Sequence, residues 1–122
     1  MQKSIDVKIS QLTPESRNVN LTVKVLERSE VREFYSQRLG KRLRICNVTV
    51  GDESGIIKMT LWNEQVDDFQ VGDTVRITNA HIAIFKGHMK LQIGKHGDYQ
   101  AIAKEIAGIN LSNDMSEATY NK

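Results

Sequence analysis

Cysteine is nearly absent from this chain: Cys46 stands alone, which excludes an internal disulfide and fits a reducing compartment. It lies in an apolar strand pattern, where a lone thiol reads as inert core. No run approaches the ~18 apolar residues of a membrane span, and the first residues carry no signal-peptide core. Proline occurs once, at Pro14, and there is neither an internal repeat nor a low-complexity tract. The glycines form no phosphate-cradling loop. His81, His88 and His96 are not spaced as zinc ligands, and one cysteine adds nothing to them. Asp52/Glu53 and Asp67/Asp68 are acidic neighbours, but a turn explains the first pair and a solvated helix face the second. No serine, histidine and aspartate stand in a supporting context for nucleophilic catalysis. A metal, a cofactor and an enzymatic activity are therefore not expected.

What remains is a 122-residue chain with 39% hydrophobic and 26% charged residues, sufficient for one globular domain. The net charge of +2 is small, but its distribution is uneven. Arg28 to Arg44 holds six basic residues against Glu30 and Glu33, and Arg76 to Lys95 holds four against no acid. Between them, Gly51 to Thr74 carries six acids and only Lys58. Two basic segments flanking an acidic one predict a cationic stripe on the folded surface, with charge scattered for solubility as the alternative.

Alternation marks five strands. In Asn18 to Leu26, Val19, Leu21, Val23 and Val25 face one way. In Leu43 to Val50, Cys46, Val48 and Val50 face inward and Ile45, Asn47 and Thr49 outward. Gly51-Asp52-Glu53-Ser54-Gly55 is a turn into a third strand, where Ile57, Met59 and Leu61 oppose Lys58, Thr60 and Trp62. Asn63 to Phe69 predicts a short helix capped by Asn63. Thr74 to Phe85 changes faces midway, as a bulge near Asn79 would allow. His88 to Ile93 puts Met89, Leu91 and Ile93 inward and His88, Lys90 and Gln92 outward. Glu27 to Lys41 reads as a polar connection and Tyr99 to Ile106 as weakly helical. Ile5, Val7, Ile9 and Leu12, within residues 1–16, are expected to plug one end of the sheet. The domain is expected to span 1–107, and 108–122 to form a disordered polar tail.

Five short strands with one helix between the third and fourth predict an all-β OB-fold, a five-stranded, partly open Greek-key barrel. Its binding surface is the outer face of strands 2 and 3 with the neighbouring loops. A strand that turns its largest ring, Trp62, to the polar side points to a base of single-stranded nucleic acid stacking on it. Phe85 and His81 form a second row with Ala83 between them; rings four residues apart lie roughly 13 Å apart on a strand, suited to bases two or more apart. Lys58, Lys86, Lys90, Arg42 and Arg44 are the candidate phosphate ligands, and Asn47, Thr49, Thr60 and Gln92 the neutral hydrogen-bonding partners. Phe34 and Tyr35 either close over a bound strand or pin their own hairpin. The competing readings are a rim-of-core Trp62, a Phe85 that caps the barrel and a His81 that is only a surface imidazole.

The ordered set Asn18–Glu27, Val50–Gly55, Ile57–Trp62, Val71-Gly72-Asp73 and Ile84-Phe85-Lys86-Gly87 resembles the archaeal single-OB-fold single-stranded DNA-binding proteins and their eukaryotic relatives in sensor-of-single-strand complexes. The resemblance implies sequence-independent binding of single-stranded DNA in replication, recombination or repair, with Trp62 and Phe85 at stacking positions. It also implies a monomer that meets other replication or repair proteins, in the cytoplasm around the nucleoid of an archaeon or in a eukaryotic nucleus. His81 falls where members carry tryptophan or tyrosine, and Gln92 where some carry tyrosine. The members' Gly/Pro-rich tail with an acidic end has no counterpart beyond Asp114 and Glu117. An RNA-binding OB module and a protein-interaction subunit of a replication protein A-like complex are the alternative functions.

Overall fold

A computed structural model describes residues 4–120. Its elements in order are β1 (Ile5–Asp6), a 3₁₀ turn (Ile9–Gln11), β2 (Arg17–Arg28), β3 (Arg32–Ser36), β4 (Lys41–Asp52), β5 (Gly55–Trp62), α1 (Glu64–Asp68), β6 (Thr74–Phe85) and β7 (His88–Ile102). The sheet runs β1-β2-β6-β7-β5-β4-β3, and an added β2–β4 pairing, with Val25 opposite Val50, closes it. β2, β6, β7, β5 and β4 thus form a closed five-stranded barrel with α1 between its third and fourth strands in chain order. This is the all-β OB-fold, with its edges joined by closure.

The alternating residues do what their period requires. Leu21, Val23, Val25, Val50, Ile57, Met59, Leu61, Ile77, Met89 and Leu91 are fully buried, and Val66 and Phe69 close the barrel from the α1 side. In β6 the inward set changes parity at Asn79, from Val75 and Ile77 to Ala80 and Ile82, where the pairing with β7 also slips. At the N-terminal end Ile9 and Leu12 are buried, whereas Ile5 is exposed on β1 beside Val19. Residues 1–3 of the expected plug lie outside the described residues.

Asp52 ties that end down. Its buried carboxylate accepts hydrogen bonds from the N–H groups of Ile9 (3.0 Å), Ser54 (2.8 Å) and Gly55 (3.2 Å) and from the Ser54 hydroxyl (2.6 Å). The acid in the Gly51–Gly55 turn therefore serves the backbone.

Four expectations need correction. The Glu27–Lys41 connection contains β3, paired with β4 from Arg32–Ile45 to Ser36–Lys41. Arg32, Glu33, Phe34 and Tyr35 are all exposed, so no in-and-out contrast marks the strand. Tyr99 to Ile102 continues β7 instead of forming a helix, because the first half of β6 needs a partner: Ile77 pairs with Tyr99 and Thr74 with Ile102. The Asn63 side chain does not cap α1; Asn63 turns to φ 55° and its Oδ1 accepts the N–H of Arg44 at 3.1 Å.

The fourth correction concerns the segment from Ile109 to Tyr120, which packs on the barrel. β5 and β7 pair in register only at Met59–Leu91, leaving a seam. The segment fills it: the Ile56 N–H donates to Asn113 O, the Met115 N–H to Ile56 O, and the Ser116 hydroxyl bridges Lys58 N (3.0 Å) and Met89 O (2.6 Å). A Cβ on Gly55 would stand 2.7 Å from Asn113 O, so the segment can pass only because that residue is glycine. Residues 121–122 of the expected tail lie outside the described residues.

Candidate nucleic-acid interface

The outward faces of β4, β5, β7 and β6 form one continuous surface. Ile45 pairs with Trp62, Asn47 with Thr60 and Thr49 with Lys58; across the barrel, His81 pairs with Gln92, Ala83 with Lys90 and Phe85 with His88. β3 extends the surface through Arg32 and Phe34, which stand opposite Ile45 and Leu43. None of these outward positions carries an acid.

At the centre, Asn47 Oδ1 accepts hydrogen bonds from Thr60 Oγ1 (3.2 Å) and Lys90 Nζ (3.3 Å). Thr60 is buried by this arrangement and serves to hold Asn47. Lys90 reaches over Phe85, its Nζ 4.8 Å from the ring centre, with Lys86 Nζ at 5.5 Å. Burial first, then the positive charges of Lys58, Arg32 and Lys86, hold the Lys90 ammonium below the usual lysine range. Such crowding of cations is relieved by an anion. Phe85 itself is 53% exposed, so the ring is a cationic platform and not a barrel cap.

Trp62 sits at the other end. It is half-buried and meets Phe34 edge-on, with ring centres 6.4 Å apart and planes at 71°. The two principal rings therefore lie at opposite ends of the face. Phe85 lies level with His88, whereas the Met59–Leu91 register sets Trp62 level with Gly94. That offset of six strand residues corresponds to roughly 20 Å. His81 fills part of the interval: its ring lies over Gly94, where a Cβ would stand 3.2 Å from Nδ1.

Arg42 and Arg44 are not brought to this face. They share the parity of Cys46, opposite to Ile45 and Asn47, and both are engaged by acids. Arg42 Nε lies 3.8 Å from Glu33 Oε1, and Arg44 forms two 2.8 Å bonds to Asp67. Tyr35 pairs with Arg42 on that same opposite side, whereas Phe34 joins the face. His88 is outward but occupied, its Nδ1 2.9 Å from Ser116 O. Arg32 joins the face as a residue the sequence does not single out; its signal is its place in the Arg28–Arg44 basic segment, which cannot be assigned a face until β3 is recognised.

Residues 12–101 match the family model "Single-stranded DNA binding protein Ssb-like, OB fold". The chain belongs to this family. Among curated relatives, the single-stranded DNA binding protein Ssb of Saccharolobus solfataricus is 39% identical over 90 residues, 74% of this chain and 60% of that protein's length. Among solved structures, a hypothetical protein from Arabidopsis thaliana is 34% identical with a TM-score of 0.75, covering 95% of this chain and 86% of its own. An OB domain from Thermoplasma acidophilum, 24% identical with a TM-score of 0.70 and covering 84% and 91%, shares the fold. The matched region, residues 12–101, contains every face residue from Arg32 to Gln92.

Proposed function

We propose that this chain binds single-stranded DNA without regard to sequence, as a binding protein and not an enzyme. One observation carries the reading: an exposed phenyl ring, Phe85, lies beneath the Lys90 and Lys86 ammonium groups on a face free of acids. Stacking on a ring accepts any base, and lysines beside it neutralise the flanking phosphates. Trp62, with Phe34 on its edge, and His81 supply further stacking surfaces, and Asn47 and Gln92 supply hydrogen bonds. The name of the Saccharolobus relative supports the same ligand. The role proposed with this ligand is in replication, recombination or repair, exerted as a monomer at exposed strands in the nucleoid or nucleus and with other proteins of those processes.

The test is a fluorescence titration with oligo-dT, since Trp62 is the only tryptophan and stands on the proposed path. Binding should quench its emission. With Lys58, Lys86, Lys90 and Arg32 each neutralising a phosphate, log affinity should fall against log salt with a slope of about −3. Unchanged emission and a flat salt response would turn the reading toward a protein-interaction domain. Equal or tighter binding of a matched RNA would make RNA the ligand.

A further inference from the structure

Three neighbouring strands lose regular pairing at one level of the barrel. The register of β2 against β6 shifts on both sides of Val19, and Asn18 takes φ 55°. In β6, Asn79 takes the same φ. Opposite that single residue β7 runs through four, from Gly94 to Gly97, because Ala80 pairs with Ile93 and Thr78 with Asp98. The loop so formed is built in: a Cβ on Gly97 would stand 2.7 Å from Ile93 Cγ2, and Asn79 Nδ2 donates to His96 O at 3.4 Å. Bulges concentrate beside binding sites, where they re-aim side chains.

Here they open a cleft of about 540 Å³ between the Pro14–Asn18 segment, which leads into β2, and the β7 loop. Pockets that hold small ligands span roughly 300–1,000 Å³. Arg17, His81, Lys95 and His96 line it, with Glu15 as the one acid among the lining residues. Arg17 and Lys95 are exposed, and neither has an ion-pair partner among the described residues, in contrast to Arg42 and Arg44. His81 belongs to both surfaces, pairing with Gln92 on the face and lining the cleft, so the cleft begins where the face ends.

We propose that this cleft is a separate nucleotide subsite, which takes one nucleotide of a strand that runs off the face past His81. Its phosphate lies against Arg17 and Lys95 and its base against the His96 ring. The proposal rests on the DNA reading above and extends the footprint from β7 round to β2.

The experiment titrates wild type, the double variant Arg17→Gln/Lys95→Gln and Trp62→Ala with dT oligomers of roughly 4 to 16 nucleotides, the range of single OB-fold sites. Both substituted cations are exposed, so the double variant should keep the wild-type melting midpoint. It should bind short oligomers as wild type does and the longer ones roughly a hundredfold more weakly, for two lost charged hydrogen bonds. Its salt slope on long oligomers should be shallower by about 1.4. Wild-type affinity at every length, or equal loss at every length, would overturn the subsite while loss in Trp62→Ala upheld the face. If wild type binds no oligomer, the DNA reading falls and the subsite with it.

Discussion

Arg44 grips Asp67 through two parallel hydrogen bonds, Nη1 to Oδ2 and Nη2 to Oδ1, each 2.8 Å long. This fork-to-fork contact uses the arrangement by which arginine would otherwise hold a phosphate. The bond holds the Asp67 carboxyl below the usual carboxylate range, and the Arg44 guanidinium is shifted up in turn. Its position on the far side of β4 from Asn47 removes it from the face as well. Arg44→Ala should therefore change affinity for oligo-dT less than twofold, whereas Lys90→Ala should weaken it about tenfold, the loss of one charge-assisted contact. Equilibrium titrations of the two variants decide the matter; equal losses would return Arg44 to the interface.

Trp62 and Phe85 should act independently. Each ring truncated to alanine should cost about 1–3 kcal/mol of binding, the usual worth of a stacked base. Their separation along the face exceeds the range over which substitutions usually couple, so the double variant should lose the sum of the two within about 0.5 kcal/mol. Anisotropy titrations with labelled dT measure all three. A double loss well short of the sum would mean that both rings serve a single base, contrary to the register that sets them at opposite ends.

Asp52 should matter to folding and not to binding. Asp52→Ala strips the acceptor from three backbone N–H groups and one hydroxyl, those of Ile9, Gly55 and Ser54. Hydrogen bonds to a charged acceptor are worth more than neutral ones, and a buried donor left alone costs its desolvation. A loss of about 3 kcal/mol in urea unfolding is expected, with wild-type dT affinity for the molecules still folded.

How much of this could be read beforehand depends on how strongly each element contrasts its two sides. Val19 to Val25, Ile57 to Trp62 and Met89 to Ile93 each have one face in the core and one in solvent, so alternation reveals strand and direction together. β3 is exposed on both sides and carries no such contrast. The stretch at Tyr99 is a strand because of a partner across the sheet, which local sequence does not display. Ser112 to Ser116 look like a solvated tail because they are polar, yet that polarity is spent on the backbone of β5 and β7. Arg42 and Arg44 read as phosphate ligands from charge alone; carrying the parity of Cys46 back to them places them off the face.

Tyr99 offers a pH test. Its hydroxyl donates to Asp68 Oδ2 at 2.7 Å, and its ring lies 5.2 Å from that of Phe69. Burial, followed by the Asp68 carboxylate, pushes the phenol up to about 12 from an ordinary value of 10.0. An acid whose folded value is raised stabilises the fold fully below the ordinary value and loses that contribution as pH climbs through the folded one. The stability gap between wild type and Tyr99→Phe should thus be constant from neutral pH to about 9 and shrink between 10 and 12. Urea titrations across that range would show it, and a gap independent of pH would refute the assignment.

Ser116 tests the seam. Its hydroxyl accepts the Lys58 N–H and donates to Met89 O, so a single oxygen joins β5 to β7 where their own pairing has stopped. In Ser116→Ala the Lys58 N–H and the Met89 carbonyl both lose their partner in a place shielded from water. A loss of about 1–3 kcal/mol follows for such a buried, unsatisfied pair. Amide exchange should localise it: the Lys58 N–H should lose protection while those of Val23, paired with Val75 on β6, and Val50, paired with Val25 on β2, keep theirs relative to global stability. Lys58 and Lys90 stand on the two strands being joined, so loosening the seam should also weaken dT binding, and more at low salt, where those two charges contribute most. Full protection at Lys58 in the variant would mean that β5 and β7 hold together without the C-terminal segment.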